Sequence, residues 1–236
     1  MGCTTSSGDA SCSTEEMLLA FGEWLGQPAE TEESGRVVVV RGRCRPTDPP
    51  LRAPLSGKPC LHFGISAKEL IWYTHRSGSR VEDRERWEVR FSLVQQSDFF
   101  VDRGGRETRV LMRPHEFVFA GSPVTSTVVV TPGKPHPAGV QVTAGDEVFL
   151  MTSIQKLFSP VNSEYSMGHW RYEETCFLAE GELSVLGVVG EGGTLEPAHR
   201  DSLSPESAPA FSESVWLRWR EVLRSPAVII SQRKST

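Results

Sequence analysis

The amino-acid sequence predicts a mainly β protein, barrel- or sandwich-like, with two peripheral amphipathic helices. From residue 35 onward, short runs of β-branched and aromatic residues recur, separated by Pro, Gly or charged turns. This rhythm is typical of all-β barrels and sandwiches. Two other segments have apolar residues at helical spacing. The β-type runs are RVVVVRGRC, PCLHFGI, ELIWYTH, WEVRFSLV, DFFV, TRVLM, EFVFA, TSTVVVT, AGVQVTA, EVFLM and ELSVLGVV.

The first predicted helix lies in STEEMLLAFGEWLG and ends at Gly26. Ser13 or Thr14 is suited to its N-terminus, since acidic residues occupy the first turn that follows. Its apolar positions recur at a spacing that places them on one helical face. They are Met17, Leu18, Phe21, Trp24 and Leu25.

The second predicted helix lies in FSESVWLRWREVLRSP and ends at Pro226. Trp216 and Trp219 lie on its apolar face. Three placements are open: the helix covers an end of the β core, pairs with the first helix, or lies on lipid, where Trp and Arg favour the headgroup level. Packing is favoured because large aromatic residues are core residues more often than membrane contacts. The apolar run at 228–230 is predicted to return as an edge strand.

The pattern divides the chain into three segments. Residues 1–34 form a flexible arm and the first helix, 35–200 a β-rich domain, and 201–236 a Ser/Pro linker, the second helix and a closing strand. Within the β-rich part, the highly charged residues 76–86 (RSGSRVEDRER) are predicted to form a solvated hairpin loop.

Charge and composition exclude several classes of function. The net charge is −5, and residues 1–35 contain seven acidic residues without a Lys or Arg. The basic residues do not cluster as they do in nucleic-acid binders, so no nucleic-acid partner is expected. No apolar run is long enough for a transmembrane helix. The five cysteines do not form a disulfide framework, which favours a reducing, intracellular setting.

The N-terminal stretch MGCTTSSGDASC predicts a lipid anchor. After removal of Met1, Gly2 begins the pattern for N-myristoylation, which Ser6 completes. Cys3, beside it, and Cys12 are candidates for palmitoylation. A disordered arm with an incidental Gly2 is the alternative. The anchor predicts a location on the cytoplasmic face of a membrane, which is the plasma membrane, the flagellar membrane or the outer membrane of an organelle.

Motifs of known catalytic chemistry are absent from the sequence, and no cofactor is expected. Zinc binding by cysteine and histidine is an alternative, although such residues are more often a small buried apolar residue and a half-exposed imidazole. The potential ligands are Cys44, Cys60, His62, His75, His169 and Cys176.

Several stretches, taken in order, resemble the GIDE domain, also called BAM ("beside a membrane"), of the membrane-anchored mitochondrial RING-type E3 ubiquitin ligases. The most specific is the segment PLSGKPC at 54–60 within VVVVRGRCRPTDPPLRAPLSGKPCLHFGI. DFFVDRGGRETRVLMRP, RYEETCFLAEGELSVLGVV and VIIS resemble later parts of the family. The matching residues, which also have structural explanations, are Pro54, Ser56, Gly57, Pro59, Cys60, Glu173, Glu174, Gly181 and Gly187.

The resemblance implies a β-rich fold and a link to ubiquitination or organelle organisation at a membrane, without supplying catalytic residues. The family's RING, with its paired zinc ligands, and its transmembrane helices have no counterpart in this sequence. We therefore expect a lipid-anchored, non-catalytic adaptor that binds an unidentified protein partner. The alternative is an E3 ubiquitin ligase component that acts with a RING supplied in trans.

Overall fold

The structure is a computed structural model that describes residues 12–25, 34–78, 80–134, 141–144, 147–150, 165–203 and 211–232. The described chain is mainly β with two α-helices, which confirms the predicted fold class. None of its helices is long and apolar enough to cross a membrane. The elements are α1 (Thr14–Leu25), β1 (Val37–Pro46), β2 (Cys60–Ser77), β3 (Arg80–Gln96), β4 (Phe99–Asp102), β5 (Glu107–Val110), β6 (Phe117–Ala120), β7 (Val124–Val130), β8 (Gln141–Ala144), β9 (Glu147–Leu150), β10 (Tyr165–Leu178), β11 (Glu182–Val189), β12 (Leu195–Glu196), α2 (Glu213–Val222) and β13 (Val228–Gln232).

The chain divides into two compact units. The first comprises Met1–Thr47, Asp98–Ser122 and Glu180–Thr236, and the second comprises Asp48–Ser97 and Pro123–Ala179. The predicted segments 1–34 and 201–236 both belong to the first unit, while the predicted segment 35–200 is shared between the two.

The first unit contains a five-stranded barrel in the order β1-β4-β5-β12-β11, closed by antiparallel pairing of β1 with β11. Closure removes the exposed sheet edges that otherwise invite pairing with other chains. The strand β13 pairs with β11 on one side and with β6 on the other. The prediction of an edge strand at 228–230 is therefore wrong. Val228, Ile229 and Ile230 are all buried, which agrees with their being consecutive apolar residues without a polar alternation.

The two helices pack together on the apolar core of the first unit. The Phe21 ring of α1 lies 4.8 Å from Trp219 and 5.8 Å from Trp216 of α2, measured between ring centroids. The Trp219 Nε1–H donates a 2.8 Å hydrogen bond to the Arg200 carbonyl oxygen. Arg218 donates to the Thr14 hydroxyl at the start of α1. The favoured packing of the second helix on the core is thus confirmed, and its pairing with the first helix occurs in the same arrangement.

The second unit contains a four-stranded antiparallel sheet in the order β3-β2-β10-β7. The long hairpin of β2 and β3 includes most of the charged stretch 76–86, which was predicted to be a loop; only residues 78 and 79 separate the two strands. The prediction of a loop is therefore wrong. The strand could not be recognised from the sequence because residues 82–86 are all exposed and charged. A strand without a buried face lacks the apolar alternation by which strands are recognised.

One face of this sheet forms the core of the second unit. Along each strand, every second side chain points into this core, because successive side chains of a strand point to opposite faces of the sheet. The buried members of this core are Ala53, Cys60, Phe63, Ile65, Ala67, Val130, Trp170, Tyr172 and Cys176.

Candidate functional site

Of the predicted lipidation residues, Cys12, which precedes α1, lies within the described part of the chain. Gly2 and Cys3 are outside the described residues. Cys12 is half-buried and packs against the apolar core of the first unit, on which the two helices lie. Its thiol donates a hydrogen bond to the Ser13 carbonyl oxygen at 3.4 Å. Burial raises the pKa of the Cys12 thiol, and the Glu16 carboxylate raises it further.

The segment PLSGKPC forms a tight loop in the second unit. The Gly57 N–H donates to the Ala53 carbonyl and the Ala53 N–H donates to the Lys58 carbonyl, both at 2.9 Å. Gly57 has a φ of 68°, a backbone conformation that favours glycine. The Arg52 guanidinium also donates to the Gly57 carbonyl oxygen at 3.0 Å. These contacts agree with a turn-forming role for the predicted motif residues.

A buried carboxylate connects this loop to β10. Glu174 is 1% exposed, and its two oxygens accept hydrogen bonds from the backbone N–H groups of Leu55 and Ser56. Glu173, the neighbouring residue of the predicted set, points to the opposite face of the strand and pairs with Lys68. The loop contact therefore belongs to Glu174. Strand alternation is the signal that could have separated the two glutamates.

Two thiols of the second unit, Cys60 and Cys176, are buried. Burial raises the pKa of Cys60 to about 12, and burial also raises the pKa of Cys176. Both residues belong to the apolar core of the second unit. Since the thiolate is the reactive and metal-binding form, this environment favours the structural interpretation of Cys60.

Of the six potential zinc ligands, one lies in the first unit and the other five lie in the second. Cys44 lies in the first unit, and burial raises the pKa of its thiol to about 12. His62 lies in the second, where burial lowers the pKa of its imidazole. Within the described ranges, no group of three or more His, Cys, Asp or Glu side chains has an arrangement that could hold a metal ion.

The two remaining motif residues, Gly181 and Gly187, serve the backbone of the first unit. Gly181 has a φ of 81° in the turn between β10 and β11. A Cβ atom at Gly187 would lie 2.7 Å from the Glu196 carbonyl oxygen on β12. The close approach of two strands, rather than chemistry, accounts for the glycine at 187.

The face of the four-stranded sheet opposite its core carries a mixture of apolar, aromatic and charged side chains; we call it the open face. The pairing register assigns to it alternate residues of all four strands. Several large apolar members are strongly exposed, including Trp72 (43%), Val89 (54%), Val94 (55%) and Val129 (54%). Exposed apolar surface on a paired sheet is characteristic of a binding site for another macromolecule.

Charged groups on the open face are held by one another and by an aromatic ring. The Arg171 guanidinium lies 4.5 Å from the centroid of the Trp87 ring. Glu173 contacts both Arg171, at 3.8 Å, and Lys68. Trp and Arg are the residue types most enriched among the energetically dominant contacts of protein interfaces. Arg171 and Lys68 thus share the carboxylate of Glu173, and the apolar side chains around them remain exposed.

The open face cannot be recognised from the sequence alone. Its residues come from the β2–β3 hairpin and from β7 and β10, which are distant from that hairpin along the chain. The exposure of Val89 and Val94 could be recognised only once the pairing register had placed them opposite Lys68 and Gly64.

Comparisons of the chain with models of protein families, with curated proteins and with solved structures find no match.

Proposed function

We propose that the protein is a lipid-anchored, non-catalytic adaptor that binds a protein partner through the open face of its four-stranded sheet. The observation that carries this proposal is the exposed group of Trp72, Val89 and Val129 around the stacked pair of Arg171 and Trp87. All strands beneath these side chains are paired, so the face is preorganised and binding requires little ordering of the backbone.

Membrane attachment in this proposal comes from the N-terminal sequence. A single myristoyl chain binds a bilayer only marginally, with an association constant of about 10⁴ M⁻¹. The acidic character of residues 1–35 does not provide the basic patch that often acts as the second signal. Palmitate on Cys3, together with Cys12 if that residue is accessible, is therefore the proposed second signal.

The link to ubiquitination rests on the resemblance to the GIDE domain. The hydrogen-bonded loop at 54–60 and the glycines at 181 and 187 support a structural role for the residues that carry this resemblance. On this basis, the adaptor recognises substrates or partners of a ubiquitin ligase assembly, or takes part in organelle organisation, at a membrane. The second candidate function is that of a ligase component whose RING is supplied in trans.

Membrane attachment is tested by fractionation of cells that express the chain. Gly2→Ala is expected to abolish membrane association, and Cys3→Ser to leave weak, reversible association, because one acyl chain then remains. Full retention of the Gly2→Ala chain on membranes would contradict the lipid anchor without affecting the proposal for the open face.

Partner binding is tested by proximity labelling in cells with the wild-type chain and two variants. Val129→Lys places a charge on the open face, on its terminal strand β7, whereas Arg43→Gln changes an exposed residue of β1 in the first unit. We expect Val129→Lys to lose a defined set of labelled proteins that Arg43→Gln retains. Equal labelling by both variants, with equal thermal stability, would refute the open face as the binding site.

The two candidate functions differ in a reconstituted reaction with ubiquitin, E1 and E2. We expect no ubiquitin transfer by the purified chain alone. Transfer that appears only after addition of a labelled partner containing a RING would favour the ligase component. Robust transfer by the chain alone would overturn the non-catalytic adaptor.

A further inference from the structure

The strand β3 is a terminal strand of the four-stranded sheet. Along residues 80–96 it pairs with β2, and no other described strand pairs with it. A terminal strand presents a row of backbone N–H and C=O groups to which an extended chain can add. A strand of this length therefore offers a large template for pairing.

The two halves of β3 differ in how they are protected from such pairing. A register irregularity at Arg90 separates them. Residues 80–90 contain eight charged side chains, the usual means by which a sheet edge is kept from pairing, whereas residues 91–96 (FSLVQQ) contain none. An uncharged, β-prone terminal segment favours association with another strand. Among the described strands, the segment 91–96 is thus the half of this edge that charged side chains do not protect.

A groove lies beside this uncharged segment. It has a volume of about 600 Å³ and is lined by residues 49–52, by Phe63 and by residues 94–97. Among its lining residues, Phe63 belongs to the core and Val94 is 55% exposed. This volume is within the range of pockets that hold an apolar side chain with its neighbours.

Arg52 gives the groove a positive charge. Its guanidinium donates to the Gly57 carbonyl oxygen at 3.0 Å, which holds its position. None of the ion pairs among the described residues involves Arg52. A planar guanidinium with free donors is well matched to a carboxylate.

From these observations we propose that residues 91–96 of β3 bind an extended peptide segment, with an apolar side chain in the groove and an acidic side chain at Arg52. Main-chain hydrogen bonds to a sheet edge supply affinity in this mode of recognition, while adjoining pockets supply specificity. The inference rests on the proposed function as a protein-binding module and names the form in which part of the partner binds.

The probe is a library of random dodecapeptides displayed on phage, selected against the immobilised full-length chain carrying Gly2→Ala. Enriched peptides are synthesised with a fluorescent label and their binding is measured by fluorescence anisotropy. We expect them to alternate apolar and polar residues and to contain Asp or Glu. Hydrogen exchange in the presence of such a peptide is expected to slow at residues 91–96.

Three variants locate the site. Val94→Lys places a charge on the uncharged half of the edge, and Arg52→Gln removes the partner of the acidic side chain. The matched control is Leu217→Lys, since Leu217 has nearly the same exposure (57%) but lies on α2 of the first unit. We expect Val94→Lys and Arg52→Gln each to weaken binding about tenfold or more, which is about 1.4 kcal/mol, and Leu217→Lys to change it less than twofold.

Failure to enrich any peptide would overturn the inference, as would equal binding by the wild type and Val94→Lys. Concentration-dependent dimerisation that Val94→Lys abolishes would also overturn it, since a second copy of the chain would then occupy the edge. These results are distinguishable from failure of the proposed function, which depends on the effect of Val129→Lys on cellular partners.

Discussion

Glu174 Oε1 accepts a 3.3 Å hydrogen bond from the backbone N–H of Ser56, which holds the loop at 54–60 against β10. Its second oxygen accepts from the Leu55 N–H, so one buried carboxylate satisfies two loop donors. A carboxylate that is 1% exposed requires such partners, because an unpaired buried charge is strongly unfavourable.

Replacement of Glu174 by alanine is expected to destabilise the second unit by about 3 kcal/mol, because two part-buried N–H groups lose a charged acceptor. The measurement is urea denaturation followed by circular dichroism. Glu173→Ala is the control, since the side chain of Glu173 is 34% exposed and its ion pair with Lys68 is partly solvated. Its expected effect is below about 1 kcal/mol. Equal effects of the two substitutions would contradict the assignment of the loop contact to Glu174.

Replacement of Trp219 by alanine is expected to lower the stability of the first unit by about 3–5 kcal/mol, the range for a large buried aromatic residue. Trp216→Ala should act in the same direction, as Trp216 is 8% exposed. Leu217→Ala is the control on the same helix, because Leu217 is 57% exposed and its loss should cost less than about 0.5 kcal/mol. Unchanged thermal melting of both tryptophan variants would be inconsistent with the packed helix.

Replacement of Gly187 by alanine should destabilise the barrel by about 1–3 kcal/mol, the usual range for overpacking. The added Cβ would meet the Glu196 carbonyl oxygen at 2.7 Å, a backbone atom that cannot rotate away. Gly64→Ala is a suitable control, since the nearest atom there is the Thr175 hydroxyl oxygen, at 3.3 Å. The prediction fails if Gly187→Ala melts at the wild-type temperature.

Thiol labelling should distinguish the cysteines of the folded protein. Burial raises the pKa values of Cys44 and Cys60 to about 12, so their thiolate fractions at pH 7.5 are very small. Among the four described cysteines, we expect a maleimide to modify half-buried Cys12 first, with Cys44, Cys60 and Cys176 reacting only after unfolding. Timed labelling with peptide mass spectrometry measures this order. Modification of Cys60 in the native protein at the same rate as Cys12 would show that Cys60 is not buried.

His62 should make stability depend on pH. Burial lowers the pKa of His62 in the folded state below its usual value of 6.5, so the unfolded chain binds the proton more readily. The contribution of this group is fully present above pH 6.5 and is lost as the pH falls below it, by at most about 1.4 kcal/mol per pH unit. Urea denaturation between pH 5 and 8 should show a shallower slope for His62→Gln than for the wild type, while exposed His75→Gln serves as the control. Identical slopes for all three proteins would exclude this role.

The sequence by itself determined the fold class and the two helices. Short β-prone runs bounded by turn residues specify strands because local backbone preference and alternation are encoded within a few residues. The apolar spacing of Met17, Leu18 and Phe21, like that of Trp216 and Trp219, specified which helix faces are buried. The glycines at 57 and 181 could be interpreted locally because a positive φ is a property of a single residue.

Only the tertiary structure decided which strands are neighbours. The strand at 228–230 lies between β11 and β6 rather than at an edge because pairing partners come from distant parts of the chain. For the same reason, the local pattern could not show that Glu174 binds the loop at 54–60, or that Trp87 and Arg171 stack on one open face. Strand register is a non-local property, and a shift of one residue exchanges the buried and exposed faces of a strand.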